Sequence, residues 1–144
     1  MSDASYPTLA QTVFDTTDAR ALAEFYRQLL GFAYRPGDEP PAPGTDDPRG
    51  RDWLVLVDPA GNRVIAFQQV DILPPSTWPD PAVPQQLHLD LTVPDRAALD
   101  VQHERAMALG ARLLVDEADA DADAEPIRVY ADPAGHPFCI FVDE

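Results

Sequence analysis

His88, Asp90 and Thr92 alternate with Leu89, Leu91 and Val93. Successive side chains on a strand point to opposite faces, so this run sets an imidazole and a carboxylate on one face and an apolar row on the other. The apolar row is expected to pack on helices, and the polar row to face a binding cavity. An imidazole exchanges protons near neutral pH, and a nearby carboxylate can hold or polarise the ring or a bound molecule. Alpha carbons two apart on a strand are separated by about 7 Å, which predicts that the two groups work on two sides of a ligand rather than bond to each other. A structural reading stands beside this one, in which the pair is satisfied through water or neighbouring strands.

Other candidates are weaker. Cys139 is the single cysteine and stands in the apolar run Pro137-Phe138-Cys139-Ile140-Phe141-Val142. It has no arginine near it in sequence and no helix start before it, so it reads as a small buried hydrophobe ahead of a nucleophile. Trp53 and Trp78 can stack on a flat ligand, or pin their segments to a core. His136 is expected to be exposed in a turn and His103 half-exposed on a helix border.

The elements that must position these residues come as one unit used twice. Asp58-Pro59-Ala60-Gly61 recurs as Asp132-Pro133-Ala134-Gly135. Each copy lies between two runs of strand character, and Pro with Gly suits a tight turn, so each closes a hairpin. Upstream, residues 9–15 begin a strand and Thr16-Thr17-Asp18 offers helix N-caps. Leu22, Phe25, Tyr26, Leu29 and Leu30 then fall on one helical face before Gly31. Residues 32–35 can form a short strand, and residues 36–52 a long Pro-, Gly- and Asp-rich loop.

After a proline-rich tract the pattern returns: a strand over 87–93, a helix from Asp95 to about Leu109, Gly110, a strand over 112–115, an acidic loop and the second hairpin. The tract holds Pro74, Pro75, Pro79, Pro81 and Pro84 and predicts a stiff extended linker. Asp18 and Asp95 are offset by 77 residues, Gly31 and Gly110 by 79, and Gly61 and Gly135 by 74, a drift expected where loops differ. The acidic run from Asp116 to Glu125 reads as a solvated loop, without the glycine and spacing of a calcium loop.

The chain has 144 residues, enough for one compact domain with a sizeable core, and 45% of them are hydrophobic. No apolar run approaches the roughly 18 residues that span a bilayer. The start Met1-Ser2-Asp3-Ala4-Ser5 lacks the features of a signal peptide, which predicts a cytoplasmic protein. One cysteine excludes an internal disulfide and a zinc knuckle. The formal charge is −15, and all ten basic residues are Arg. That field repels nucleic acid and anionic lipid; it favours a neutral or cationic ligand, or serves solubility alone. Richness in Arg, Ala and Pro without Lys points to a GC-rich bacterial genome.

Each half thus reads as strand, helix, strand, strand, strand. This βαβββ duplication resembles the vicinal oxygen chelate superfamily, the glyoxalase and bleomycin-resistance group. The likeness rests on the segment from Ala23 to Phe32, the two Asp-Pro-Ala-Gly turns, and His88-Leu89-Asp90-Leu91-Thr92-Val93. The tract from Pro74 to Pro81 leading into Gln85-Gln86-Leu87-His88 is similar to a glyoxalase-like branch common in actinobacteria. The resemblance implies an α+β fold in which module 1 (about 8–70) and module 2 (about 86–144), joined by a linker at 71–85, form a single domain. Their curved sheets would make one cup with the helices outside. It also implies a homodimer, in some relatives with modules exchanged between chains.

In relatives that bind metal, the first and last strands of each module each send one ligand into the cup. His88, seven residues before Asp95, holds one of these positions, and Gln11, seven before Asp18, holds its counterpart. Four residues after the second turn glycine, where relatives carry Glu, stands Cys139; in the first module Gln68 is the expected equivalent, with Gln69 an alternative. Amides and a thiol are a poor set for a hard divalent ion, so no metal cofactor is expected. Missing carboxylates also argue against glyoxalase, ring-cleaving dioxygenase and metal-dependent thiol-transferase chemistry. The expectation is a protein that binds a small organic molecule through Gln11, Trp53, Gln68, Trp78, His88, Asp90 and Cys139. The alternative is a metal-independent isomerase, cyclase or lyase using His88 and Asp90, and a metal-dependent lyase comes third.

Overall fold

The computed structural model describes residues 6–119 and 124–143. The chain divides after Asp71 into two compact units, each an open four-stranded sheet carrying one helix. The first unit contains β1 (Thr12–Thr16), α1 (Ala19–Leu30), β2 (Ala33–Tyr34), β3 (Trp53–Val57) and β4 (Arg63–Gln69). The second contains β5 (Leu89–Val93), α2 (Arg96–Leu109), β6 (Arg112–Asp116), β7 (Ile127–Ala131) and β8 (Pro137–Val142). The strand orders, β1-β4-β3-β2 and β5-β8-β7-β6, are the same arrangement repeated. In both units the first strand pairs in parallel with the last, and the remaining pairs are antiparallel. The α+β class and the two tandem βαβββ modules are therefore present as expected.

Local chemistry explains each start and stop. The Asp18 carboxylate accepts from Ala21 N at 3.1 Å and caps α1; Asp95 accepts from Ala98 N at 2.8 Å and caps α2. Both helices end on a left-handed glycine, Gly31 and Gly110. Helix α1 buries Leu22, Phe25, Tyr26 and Leu29, and Phe14 and Phe67 from the sheet meet Tyr26 at ring distances of 5.3 and 6.0 Å. Helix α2 is more polar and fully buries only Leu99 and Ala106.

The two turns are built alike around their aspartates. Asp58 Oδ1 accepts from Ala60 N and Asn62 N at 3.0 and 2.9 Å, and Asp132 Oδ1 accepts from Ala134 N and His136 N at 2.9 and 3.0 Å. The hairpins they close are not alike. In the second, Ala131 pairs with Pro137 and Tyr130 with Phe138 without interruption. In the first, Leu56 pairs with Ile65 but Val57 with Arg63, so a bulge adds one residue to β4.

Three segments depart from the sequence expectation. The proline-rich tract groups with the second unit and is not a simple extended spacer. Its residues 76–83 close on themselves: Thr77 N donates to Val83 O at 2.9 Å, and Val83 N donates back to Thr77 Oγ1 at 2.8 Å. The Trp78–Pro79 peptide within it is cis. His136 is buried, not exposed, because this tract folds over its turn. Asp116, expected in the acidic loop, ends β6 and accepts from Arg128 Nε at 3.2 Å, and Asp119 pairs with Arg96. Residues 120–123 of that loop lie outside the described residues. In the first unit the long loop is anchored by Asp38, which is fully buried and accepts from Arg49 Nη1 at 2.7 Å and Val55 N at 2.9 Å.

The paired turns give an internal control. Gly61 (φ +87°) and Gly135 (φ +95°) both hold a left-handed backbone, but a Cβ on Gly61 meets nothing within 4 Å whereas one on Gly135 meets Pro75 Cβ at 2.9 Å. Gly61→Ala should cost about 1–2 kcal/mol from backbone strain. Gly135→Ala should cost roughly 1–3 kcal/mol more, because the tract must shift. Urea titrations of the two variants check the difference; equal losses would mean that the tract does not pack on this turn.

Candidate ligand-binding site

The second unit brings four of the expected residues together. The parallel register of β5 with β8 sets Asp90 opposite Cys139, and the antiparallel register of β7 with β8 sets Val129 opposite the same cysteine. The neighbouring positions in β7 point to α2: Tyr130 hydroxyl lies 2.9 Å from His103 Nδ1, and Arg128 Nη1 donates to Asp100 Oδ1 at 3.0 Å. Alternation therefore turns Asp90, Cys139 and Val129 to the face away from the helix.

His88 immediately precedes β5, and its Nε2 lies 3.3 Å from Asp90 Oδ1. The expectation that the two would stay apart is corrected. Both side chains are long enough to close the gap between alternate alpha carbons, and His88 sits outside the paired strand that would hold it upright. Cys139 Sγ donates to the same Oδ1 at 2.9 Å. One carboxylate oxygen thus serves both an imidazole and a thiol.

Cys139 is only 7% exposed, while the His88 and Asp90 side chains are 50% and 61% exposed. Burial, then the hydrogen bond to Asp90 and its negative charge, push the Cys139 thiol up to about 12. The group is a hydrogen-bond donor at neutral pH and not a thiolate.

These residues border a cavity of about 300 Å³. Trp78, Gln85, His88 and Asp90 supply its polar and aromatic margin, and Ile127, Val129 and Phe138 join Cys139 in an apolar lining. Trp78 is brought there by the closed 76–83 loop, where its N donates to Ser76 Oγ at 3.2 Å. Among the described residues Asp90 is the one carboxylate in the lining, and no arginine joins it. Val129 was legible in principle, since counting outward from the second turn pairs it with Cys139. Gln85 carries no such signal.

The other three candidates belong to the first unit. Trp53 and Gln68 are partners across β3 and β4, with Asp15 of β1 next to Gln68. Gln68 is exposed and Trp53 half-buried. Gln11 precedes β1, and its Oε1 is buried with no hydrogen-bond partner among the described residues. Gln69 plays a structural part, since its Oε1 accepts from Ala19 N at 2.8 Å and its Nε2 donates to Thr17 O at 2.6 Å.

Register also corrects which residue matches Cys139. Val13 and Ala66 pair in the first unit as Asp90 and Cys139 pair in the second. The bulge in β4 shifts the count from Gly61 by one, so Ala66, not Gln68, holds the equivalent position, and Gln68 corresponds to Phe141.

The fit of a divalent ion can be judged from these donors. At the last-strand positions stand Ala66, which has no donor, and Cys139, whose proton is held. Cys139 Sγ donates its proton to Asp90 Oδ1 at 2.9 Å, which keeps the thiol from serving as a thiolate ligand. Among the described residues no group of three or more His, Cys, Asp or Glu side chains is arranged to hold a metal. The residues present do not fit the metal that the resemblance implies.

The thiol chemistry is directly measurable. With its acidity near 12 rather than the ordinary 9.0, Cys139 should carry about a thousand-fold less thiolate at pH 8 than a free cysteine, and alkylate correspondingly slowly. Asp90→Asn removes the charge but not the burial, so it should speed iodoacetamide alkylation at pH 8 several-fold. Mass spectrometry over time reads both rates; an unchanged rate in the variant would separate the thiol from Asp90.

The comparisons bear on the fold. Residues 11–141 match the family model described as a glyoxalase-like domain. A glyoxalase/bleomycin resistance protein/dioxygenase family enzyme from Burkholderia phytofirmans PsJN is 19% identical, with 94% of this chain and 98% of that chain covered and a TM-score of 0.65. A glyoxalase-related enzyme from Fulvimarina pelagi is 20% identical over 96% of this chain and 89% of its own, with a TM-score of 0.63. A variant of the fosfomycin resistance protein FosX from Listeria monocytogenes, complexed with Mn(II) and 1S,2S-dihydroxypropylphosphonic acid, is 15% identical over 96% and 94%, with a TM-score of 0.66. No curated protein matches the chain. With residues 11–141 matched by the family model, the chain belongs to the glyoxalase-like domain family.

Proposed function

We propose that this chain binds a small organic molecule in the cavity beside Asp90, without a metal. The observation that carries this reading is the hydrogen bond of Cys139 Sγ to Asp90 Oδ1, with His88 Nε2 close by, beside a cavity walled by Trp78. An apolar lining with a few polar groups at its edge is the usual build of a small-molecule site. Family membership supports the ligand-binding role. Mn(II) and a phosphonic acid occupy the FosX structure, but Ala66 and the protonated Cys139 are poor substitutes for the ligands a hard ion takes. We also read the protein as a homodimer, as its family suggests, and as cytoplasmic.

A second reading is favoured by one distance. His88 Nε2 at 3.3 Å from a carboxylate is an oriented imidazole, the arrangement of a base held by an acid, so His88 could move a proton on the bound molecule with Asp90 fixing the ring. This would make the chain a metal-independent isomerase, cyclase or lyase.

Native mass spectrometry of the protein as purified tests the first reading, which expects an organic adduct on the folded chain that is lost on denaturation. With that molecule in hand, His88→Ala separates the two readings. A binding protein should lose several-fold in affinity; an enzyme should lose turnover about a hundred-fold or more while still binding. A folded chain with no adduct that ignores metabolite extracts would contradict both.

A further inference from the structure

Among the described residues, nearly every carboxylate that has a charged partner faces an arginine. Asp38 meets Arg35 and Arg49, Asp47 meets Arg20, Glu24 meets Arg27, and Asp100 and Asp116 share Arg128. Asp90 is different. Its partners are a neutral thiol and an imidazole, and both contact Oδ1. Oδ2 takes no hydrogen bond among the described residues, on a side chain 61% exposed at the cavity.

The unit's arginines are committed elsewhere. Arg128 faces α2, Arg96 holds Asp100 and Asp119, and Arg105 donates to Gln102. None of them, nor Arg112, lines the cavity. A carboxylate at the edge of this cavity with no arginine beside it is an acceptor for a cation brought from outside. The thiol and imidazole fix the orientation of Asp90 through Oδ1 and leave Oδ2 to the ligand.

We propose that the bound molecule is a protonated amine on a flat apolar body, its ammonium on Asp90 Oδ2 and its body against Trp78. The proposal rests on the small-molecule reading above and names its ligand class. Trp78 adds the attraction of an indole face for a cation, and the −15 charge of the chain draws cations toward it. Gln85 can accept or donate at the same margin. A cavity of about 300 Å³ is at the small end of ligand sites and suits a body of about two fused rings.

Three probes on the same naphthalene body test this on the full chain by calorimetry at low salt: 2-naphthylmethylamine, 2-naphthylmethanol and 2-naphthoate. The amine should bind about tenfold more tightly than the alcohol, and the carboxylate most weakly. Asp90→Asn should erase the advantage of the amine over the alcohol. Asp90→Glu, which keeps the charge, should retain part of that advantage and show that the loss in the amide variant is not misfolding. Trp78→Ala should weaken amine and alcohol alike. An amine no tighter than the alcohol overturns the ammonium anchor while the pocket reading stands. A preference that persists in Asp90→Asn overturns Asp90 as the anchor. Failure of all three probes to bind overturns the pocket and the proposal together.

Discussion

One carboxylate oxygen organises the candidate site. Oδ1 of Asp90 accepts from the buried Cys139 thiol and touches the His88 imidazole, and the contact exists because β5 runs parallel to β8 with Asp90 and Cys139 in register. A thiol is a weak donor, but here it is buried and faces a negative charge, which holds its proton in place. The consequence reaches the whole cavity. Asp90 is aimed, Cys139 is silenced as a nucleophile, and the imidazole is tethered at the margin.

The duplication shows how similar scaffolds come to hold different chemistry. Both units use the same strand order, the same aspartate-centred turn and the same aspartate helix cap. A single extra residue in β4 then changes which side chain reaches the position of Cys139, and that side chain is Ala66. The second unit also gains the proline-rich tract, whose closed loop carries Trp78 to the cavity and covers His136. Chemistry concentrates where the tract folds back.

Periodicity and capping signals were strong enough to read most of the fold from sequence. The α1 stripe of Leu22, Phe25, Tyr26 and Leu29, the caps Asp18 and Asp95, and both hairpins were all legible, because each depends on local chemistry. His88, Asp90 and Trp78 were legible as candidates for the same reason: strand alternation and residue type. What was not legible depends on contacts distant in sequence or on a count. The β4 bulge moved the equivalence from Gln68 to Ala66, since no residue in Gly61-Asn62-Arg63-Val64 announces an insertion. Burial of His136 and closure of residues 76–83 require the tract to meet the turn, and prolines alone suggested only stiffness. The His88–Asp90 contact escaped because alpha-carbon spacing ignores the reach of the side chains.

If Asp90, Cys139 and His88 are committed to one another and not to an ion, the chain should be indifferent to divalent metals. Calorimetric titration of the chelator-treated chain with Mn(II) and Zn(II) decides the matter. No saturable one-to-one binding in the micromolar range is expected for either ion. Stoichiometric micromolar binding that disappears in His88→Ala would show instead that these side chains form a metal site.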